Sequence, residues 1–280
     1  MLSNEQIESA RQNAGGYVPA AVVERIVASG VSLEQLMLNL IPRAKTFAIP
    51  TISNFFVGAV AHGVSGNLYF GANYEFPGQA LSFTIHGEQA ATMHAISFNE
   101  TGIDLLAVSA APCGYCRQFL NELTTASTLQ IILPGTPATP LTALLPNAFG
   151  PTDLGITAAL MSPQSHGMTI ESPDDLTRAA LHAANLSYAP YSRSYAGVAL
   201  KTSDGSIYTG GVAENAAFNP SMSPLEAAIV TMTINGRKTY GDIVDVVLVE
   251  AAASTASQLD ATRNVLATIT KVPLRTYGGK

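Results

Sequence analysis

The chain repeats itself. Residues 53–60 read SNFFVGAV and residues 192–199 read SRSYAGVA; residues 66–71 read GNLYFG and residues 205–210 read GSIYTG. Glu75 is matched by Glu214, and every pair is offset by 139 residues with no gap. Ser53, Gly58, Gly66, Tyr69, Gly71 and Glu75 recur unchanged, six identities over 23 positions. Agreement of that kind points to duplication rather than chance. Glycines at turn positions and a Tyr in the second strand imply the same hairpin each time. With 280 residues there is room for two domains of ordinary size.

Hydrophobic patterning supplies the rest of the expected architecture. Ser3 with Gln6 fits a helix capping box, and Gly15-Gly16 marks a break. A second helix is predicted to open at Ser32, with Gln35 as its box partner. Its apolar positions Leu33, Leu36, Met37 and Leu40 follow the helical period, and Pro42 is expected to bend or end it. Residues 55–62 and 67–72 read as a hairpin, 86–98 as a helix, 105–110 as a buried strand, 113–122 as a helix and 130–133 as a strand. Helices packed on a mixed sheet are the expected α/β result. Pro134, Pro137, Pro140, Pro146 and Pro151 mark residues 134–155 as a linker or extended surface arm. The expected division is an N-terminal helical segment at 1–31, a first domain at 32–136, an arm at 137–173 and a second domain at 174–280.

Only the first copy carries candidate chemistry. His86 and Glu88 flank Gly87, and Cys113 and Cys116 are the chain's two cysteines. A Cys-x-x-Cys pair in a reducing compartment means redox chemistry, metal binding or coincidence. Catalytic zinc takes three protein ligands and keeps one corner open, and one imidazole with two thiolates makes such a set. Cys113 and Cys116 are spaced i, i+3, which puts both sulfurs on one side of a first helical turn. Pro112 suits that helix start, and the positive helix end favours thiolate. His86 and Glu88 lie about 200° apart around a regular helix, so His86 must precede the first turn for both to reach one cavity. Carrying the offset of 139 forward sets His86 against Leu225, Glu88 against Ala227, Cys113 against Ala252 and Cys116 against Thr255, with small gaps able to move these by a residue or two. No cysteine occurs in the second half.

HGE followed by PCGYC resembles the zinc-dependent cytidine deaminases, whose pattern is H-x-E…P-C-x-x-C. SNFFVGAV, GANYEF, CRQF and NAFGP extend the resemblance to the long, homodimeric members of bacteria and plants, which join one working and one degenerate domain. It implies two three-layer α/β/α domains with mixed sheets. It implies one Zn²⁺ per chain on His86, Cys113 and Cys116, with Glu88 carrying protons while water activated at the metal attacks C4 of the base. The products would be uridine or 2′-deoxyuridine and ammonia, within pyrimidine salvage. By the same resemblance Phe55 stacks on the pyrimidine, and Asn73 and Glu75 bond the ribose hydroxyl. The Gly87 N–H reaches O2, the Ala111 carbonyl accepts from the 4-amino group, and Phe149 and the segment around Ala216 arrive across the dimer interface. Glu75 persists as Glu214, so it is expected to have a structural role as well. The role of Arg117, beside Cys116, stays open between a partner for thiolate charge and a solvated side chain.

Charge and hydropathy narrow the partners. The net charge is −6 with no Lys/Arg cluster, so the basic footprint that phosphate neutralisation needs is missing and nucleic acid is not an expected partner. Apolar runs such as Ala227–Ile234 fall far short of the roughly 18 residues that span a bilayer. The polar N-terminus does not read as a signal or transit peptide. A soluble, cytoplasmic protein is the expectation.

Overall fold

The structure, a computed structural model, describes residues 3–280. Among them two compact units stand out. One runs to Glu75 and resumes at Thr84–Phe149; the other is Phe76–Phe83 with Gly150–Lys280.

In the first unit, α1 (Asn4–Asn13), α2 (Ala20–Ala28) and α3 (Leu33–Lys45) precede the hairpin β1 (Gly58–Gly63) and β2 (Leu68–Ala72). Ser3 and Gln6 form the expected reciprocal cap on α1. Ser32 caps α3 through the Gln35 N–H, but the Gln35 side chain turns to Asn39 at 2.8 Å, so no box closes there. Pro42 does not end α3, which runs on to Lys45. Leu36, Met37, Leu40, Ile41 and Ala44 are buried from this helix. That burial outweighs the roughly 3 kcal/mol that an interior proline costs.

The unit continues through α4 (Gly87–Ile96), β3 (Ile103–Val108), α5 (Gly114–Leu120), β4 (Gln130–Ile132), β5 (Thr139–Pro140) and α6 (Leu141–Leu144). Its sheet has the order β2-β1-β3-β4-β5, antiparallel except for the parallel β3–β4 pair. Residues 134–155, read from their prolines as an arm, therefore supply an edge strand as well, and Leu141 is buried beside it.

Close approach at two strand glycines sets the layers. A Cβ at Gly58 would stand 2.7 Å from Ile41 O in α3, and one at Gly71 would stand 2.1 Å from Gly87 O in α4. Gly58 pairs with Ala72, and Gly71 with Ala59, in adjacent rows of the ladder. Adjacent rows point to opposite faces, so α3 and α4 cover opposite sides of the sheet.

The second unit repeats this plan with α7 (Asp175–Asn185), β6 (Ala196–Thr202), β7 (Ile207–Gly211), α8 (Pro224–Ile234), β8 (Ile243–Ala251), α9 (Leu259–Ile269) and β9 (Leu274–Gly279). Its sheet order is β7-β6-β8-β9. Gly197 meets Ala180 O in α7 and Gly210 meets Pro224 O in α8, the same contacts that Gly58 and Gly71 make. The recurring glycines thus serve two purposes. Gly66 and Gly205 turn the hairpins at φ 87° and 86°, whereas Gly58, Gly71, Gly197 and Gly210 let helices touch strands.

Candidate metal centre

His86 is the residue before α4, with extended backbone at φ −89° and ψ 155°. A His86 inside the helix would face away from Glu88; in the extended position before it, as the spacing predicts, the ring turns toward the same site. Cys113 is the corresponding residue before α5, at φ −70° and ψ 168°, and Cys116 follows within the helix. β1 and β3 bring the two helix starts together, and Ser109 N donates to Gly58 O at 2.9 Å just beyond the paired strands.

His86 Nδ1 lies 3.3 Å from Cys116 Sγ and 3.6 Å from Cys113 Sγ, and the two sulfurs are 3.6 Å apart. Tetrahedral zinc with ordinary bond lengths places two sulfurs about 3.8 Å apart and a sulfur and an imidazole nitrogen about 3.6 Å apart. The donor set and its triangle therefore fit zinc. Among the described residues this is the one group of three His, Cys, Asp or Glu side chains so arranged.

The groups perturb one another strongly. Hydrogen bonds from Cys116 and His86 push the Cys113 thiol down to about 3. The Cys116 thiol moves the opposite way, raised by its bond to Cys113 and by burial. The Cys113 thiolate holds the His86 ring protonated above its usual range. Glu88 is 4 % exposed, and burial raises its carboxyl while the neighbouring Cys116 thiol and His86 ring pull it back. A buried acid displaced toward neutrality beside a metal site suits proton transfer.

The other expected contacts fall into two groups. Gly87 opens α4, and a Cβ there would meet Val57 at 2.9 Å, so the backbone is packed tightly against the start of β1. Ala111 is exposed beside the cysteine turn, and Phe55 is 59 % exposed. Asn73 and Glu75, by contrast, are buried and engaged within the chain. Asn73 donates to Phe55 O at 2.8 Å and accepts from Val57 N at 2.9 Å. Glu75 accepts from Ile52 N, Ser53 N and Ser53 Oγ at 2.7, 2.8 and 2.5 Å. Burial would raise the Glu75 carboxyl, but these bonds outweigh it and hold the group below the usual range. Both side chains shape the turn that displays Phe55.

Phe149 is exposed. Ala216 is buried, and the outward group of its segment is Phe218, 63 % exposed at φ 61°. Nothing in the spacing singled out Phe218; an aromatic held in the left-handed region shows only in the backbone. Arg117 bonds neither sulfur: Nε donates to Pro112 O and Nη1 to Leu144 O, both at 2.8 Å.

The second unit keeps the frame and lacks the donors. Ser223 is the residue before α8 and Glu226 bonds back to it, as Gln89 does to His86. Ser223 therefore occupies the place of His86, and Leu225 that of Glu88. This corrects the constant offset by two residues, which are missing between Glu214 and Met222. Where the first unit has its cysteine turn, Ala256 N donates to Ser194 Oγ and Thr255 Oγ1 to Ser192 O.

Comparison with known proteins agrees with this geometry. Residues 17–131 and residues 141–263 each match the family described as cytidine and deoxycytidylate deaminase zinc-binding region. The chain is 51 % identical over 234 residues to proteins named cytidine deaminase from Yersinia pestis (strain Pestoides F) and Yersinia pseudotuberculosis serotype IB (strain PB1/+). In each case the match covers 84 % of this chain and 79 % of the relative. Among solved structures, cytidine deaminase from Mycobacterium tuberculosis is similar at 30 % identity, covering 41 % of this chain and 95 % of that one with a TM-score of 0.38. The enzyme of that name from Burkholderia pseudomallei is similar at 27 % identity, covering 41 % and 97 %, with a TM-score of 0.37. With a zinc-type donor set in one repeat and a family match to each half, the chain belongs to the zinc-binding cytidine and deoxycytidylate deaminases, in their two-domain form.

Proposed function

We propose that the protein hydrolyses cytidine and 2′-deoxycytidine to uridine and 2′-deoxyuridine, releasing ammonia. The observation that carries this reading is the His86–Cys113–Cys116 triangle with the buried carboxyl of Glu88 against it. A zinc ion bound there supplies a Lewis acid that brings the pKa of water near neutrality.

Glu88 takes a proton from the attacking water and delivers it to N3 of the base; it then takes the proton of the hydroxyl added at C4 and delivers it to the departing amine, so that ammonia leaves as the C4 carbonyl forms. One carboxyl serves as base and then acid, which its displacement toward neutrality favours. The Gly87 N–H holds O2 of the base and the Ala111 carbonyl accepts from the 4-amino group. The exposed Phe55 ring stacks on the pyrimidine. Asn73 and Glu75 hold the Phe55 turn and reach the ribose hydroxyl with their remaining lone pairs.

The working assembly is a homodimer in which Phe149 and the Ala216–Phe218 segment complete the site of the other copy. Phe55, Phe149 and Phe218 leave aromatic surface uncovered in the single chain, which such an interface would cover. The functional boundaries are a deaminase domain at 32–136 and a degenerate one at 174–280. The enzyme acts in the cytoplasm on free nucleosides; no helix among the described residues is long and apolar enough to cross a membrane.

Metal analysis combined with an ultraviolet assay on cytidine, 2′-deoxycytidine and cytosine tests the reading. One zinc per chain and turnover of both nucleosides are expected. Zinc-loaded protein that leaves all three compounds unchanged would overturn it.

A further inference from the structure

Helix α5 does more than carry sulfur. Arg117, inside it, ties Pro112 O beside the cysteines to Leu144 O at the end of α6. Gln118 Nε2 and Asn121 Nδ2 both donate to Phe149 O, at 2.8 and 3.1 Å. The chain from Leu144 to Phe149 is thus anchored to α5 at both ends. Between the anchors Pro146, Asn147 and Ala148 are exposed, and the Phe149 ring is 45 % exposed. Arg117 and Gln118 of this helix and Asn121 at its C-terminal end thus place three hydrogen bonds on two carbonyls of the strap and hold it to the helix that carries Cys116.

We propose that Arg117, Gln118 and Asn121 are positioning residues that hold the Leu144–Phe149 strap on the metal-bearing helix and so set the Phe149 ring that reaches the nucleoside in the site of the other copy. This rests on the deaminase reading above. The role is one of binding: the side chains that hold the strap are Arg117, Gln118 and Asn121, not Glu88 or the metal ligands, so its release changes substrate affinity more than the chemical step. Gln118 and Asn121 share one acceptor. Losing either leaves the strap partly held, and losing both frees its Phe149 end.

The test compares Gln118→Ala/Asn121→Ala, Phe149→Ala and the triple variant with the wild type as zinc-loaded full chains. It reads kcat and KM for cytidine, zinc content, and amide exchange across residues 145–149. Two lost hydrogen bonds are expected to raise KM by at least about fivefold. Expected alongside are a kcat within about twofold, unchanged zinc, and faster exchange in the strap. Phe149→Ala should raise KM, and the triple variant should raise it no further, because the pair acts through that ring. An unchanged KM, additive effects in the triple variant, or a KM rise that follows zinc loss would each overturn the proposal. Should the double variant not fold, Gln118→Ala alone carries the same test, with an expected KM rise of about twofold or more. A zinc-loaded wild type that leaves cytidine untouched refutes the deaminase reading, and this proposal with it. An active wild type whose double variant keeps its KM refutes the proposal alone.

Discussion

Glu75 accepts hydrogen bonds from Ile52 and Ser53, and Glu214 accepts the equivalent ones from Tyr191 and Ser192 in the repeat without metal donors. The shared duty is to shape a turn; a substrate contact can belong only to Glu75. Glu75→Gln and Glu214→Gln should therefore destabilise the fold alike, by about 1–3 kcal/mol from partners left unpaired. Only Glu75→Gln should raise KM. Paired denaturation and kinetic measurements check this, and equal KM values in both variants would leave Glu75 a purely structural role. At this scale the site was unusually legible, because His86, Glu88, Cys113 and Cys116 form two short motifs whose spacing already dictates helix starts. Arg11 was not. It is 1 % exposed, with Nη1 donating to Gly16 O at 2.7 Å and its guanidinium 5.3 Å from the Phe47 ring. An arginine ordinarily reads as solvated, and nothing local announces the aromatic rings that cover this one.

Among the elements, α4 and α8 are the same helix put to different uses. Gln89 bonds back to His86 N at 3.1 Å, and Glu226 bonds back to Ser223 N at 2.8 Å. Glu226 is buried, and desolvation pushes its carboxyl up to about 7 against the bonds from Ser223. Below pH about 4.5 both folded and unfolded chains hold that proton. As pH rises toward 7 the unfolded chain ionises first, so the fold loses up to about 3 kcal/mol across that window. Glu226→Gln keeps the backbone bond, as Gln89 does, and removes the penalty. Thermal melts should show the variant close to wild type at pH 5 and more stable at pH 8; an equal difference at both values would contradict the assignment. Sequence patterning located α1, α3, α4, α5 and the strands β1–β4, but it read the N-terminal segment as helical without marking α2 and missed both α6 and the edge strand at Thr139–Pro140. Of the two outcomes expected at Pro42, ending the helix does not occur, because the burial that carries α3 past the proline comes from packing on the sheet, not from neighbouring residues. The two-residue gap before α8 was invisible for a similar reason: the turn between Glu214 and Met222 has no match in composition, only in the Ala213–Met222 bridge.

For the whole molecule, duplication explains why a chain with one candidate centre has two sheets that share a four-strand order, β2-β1-β3-β4 and β7-β6-β8-β9, with β5 added only to the first. The second unit has the frame without the metal donors. Sedimentation equilibrium should give about twice the 29.2 kDa of the chain. Phe218→Ala should raise KM in the assembled dimer while leaving zinc content unchanged, since Phe218 belongs to the unit without metal donors. A fully active monomer would contradict that assembly.

The most direct test of the account as a whole is zinc content and cytidine turnover measured on the same samples of wild type, Glu88→Gln and Cys116→Ala. One zinc per chain is predicted for wild type and for Glu88→Gln, with turnover reduced about 10²–10⁴-fold in the latter, and zinc is lost from Cys116→Ala. Zinc retained in full by Cys116→Ala, or near-normal turnover by Glu88→Gln, would contradict it.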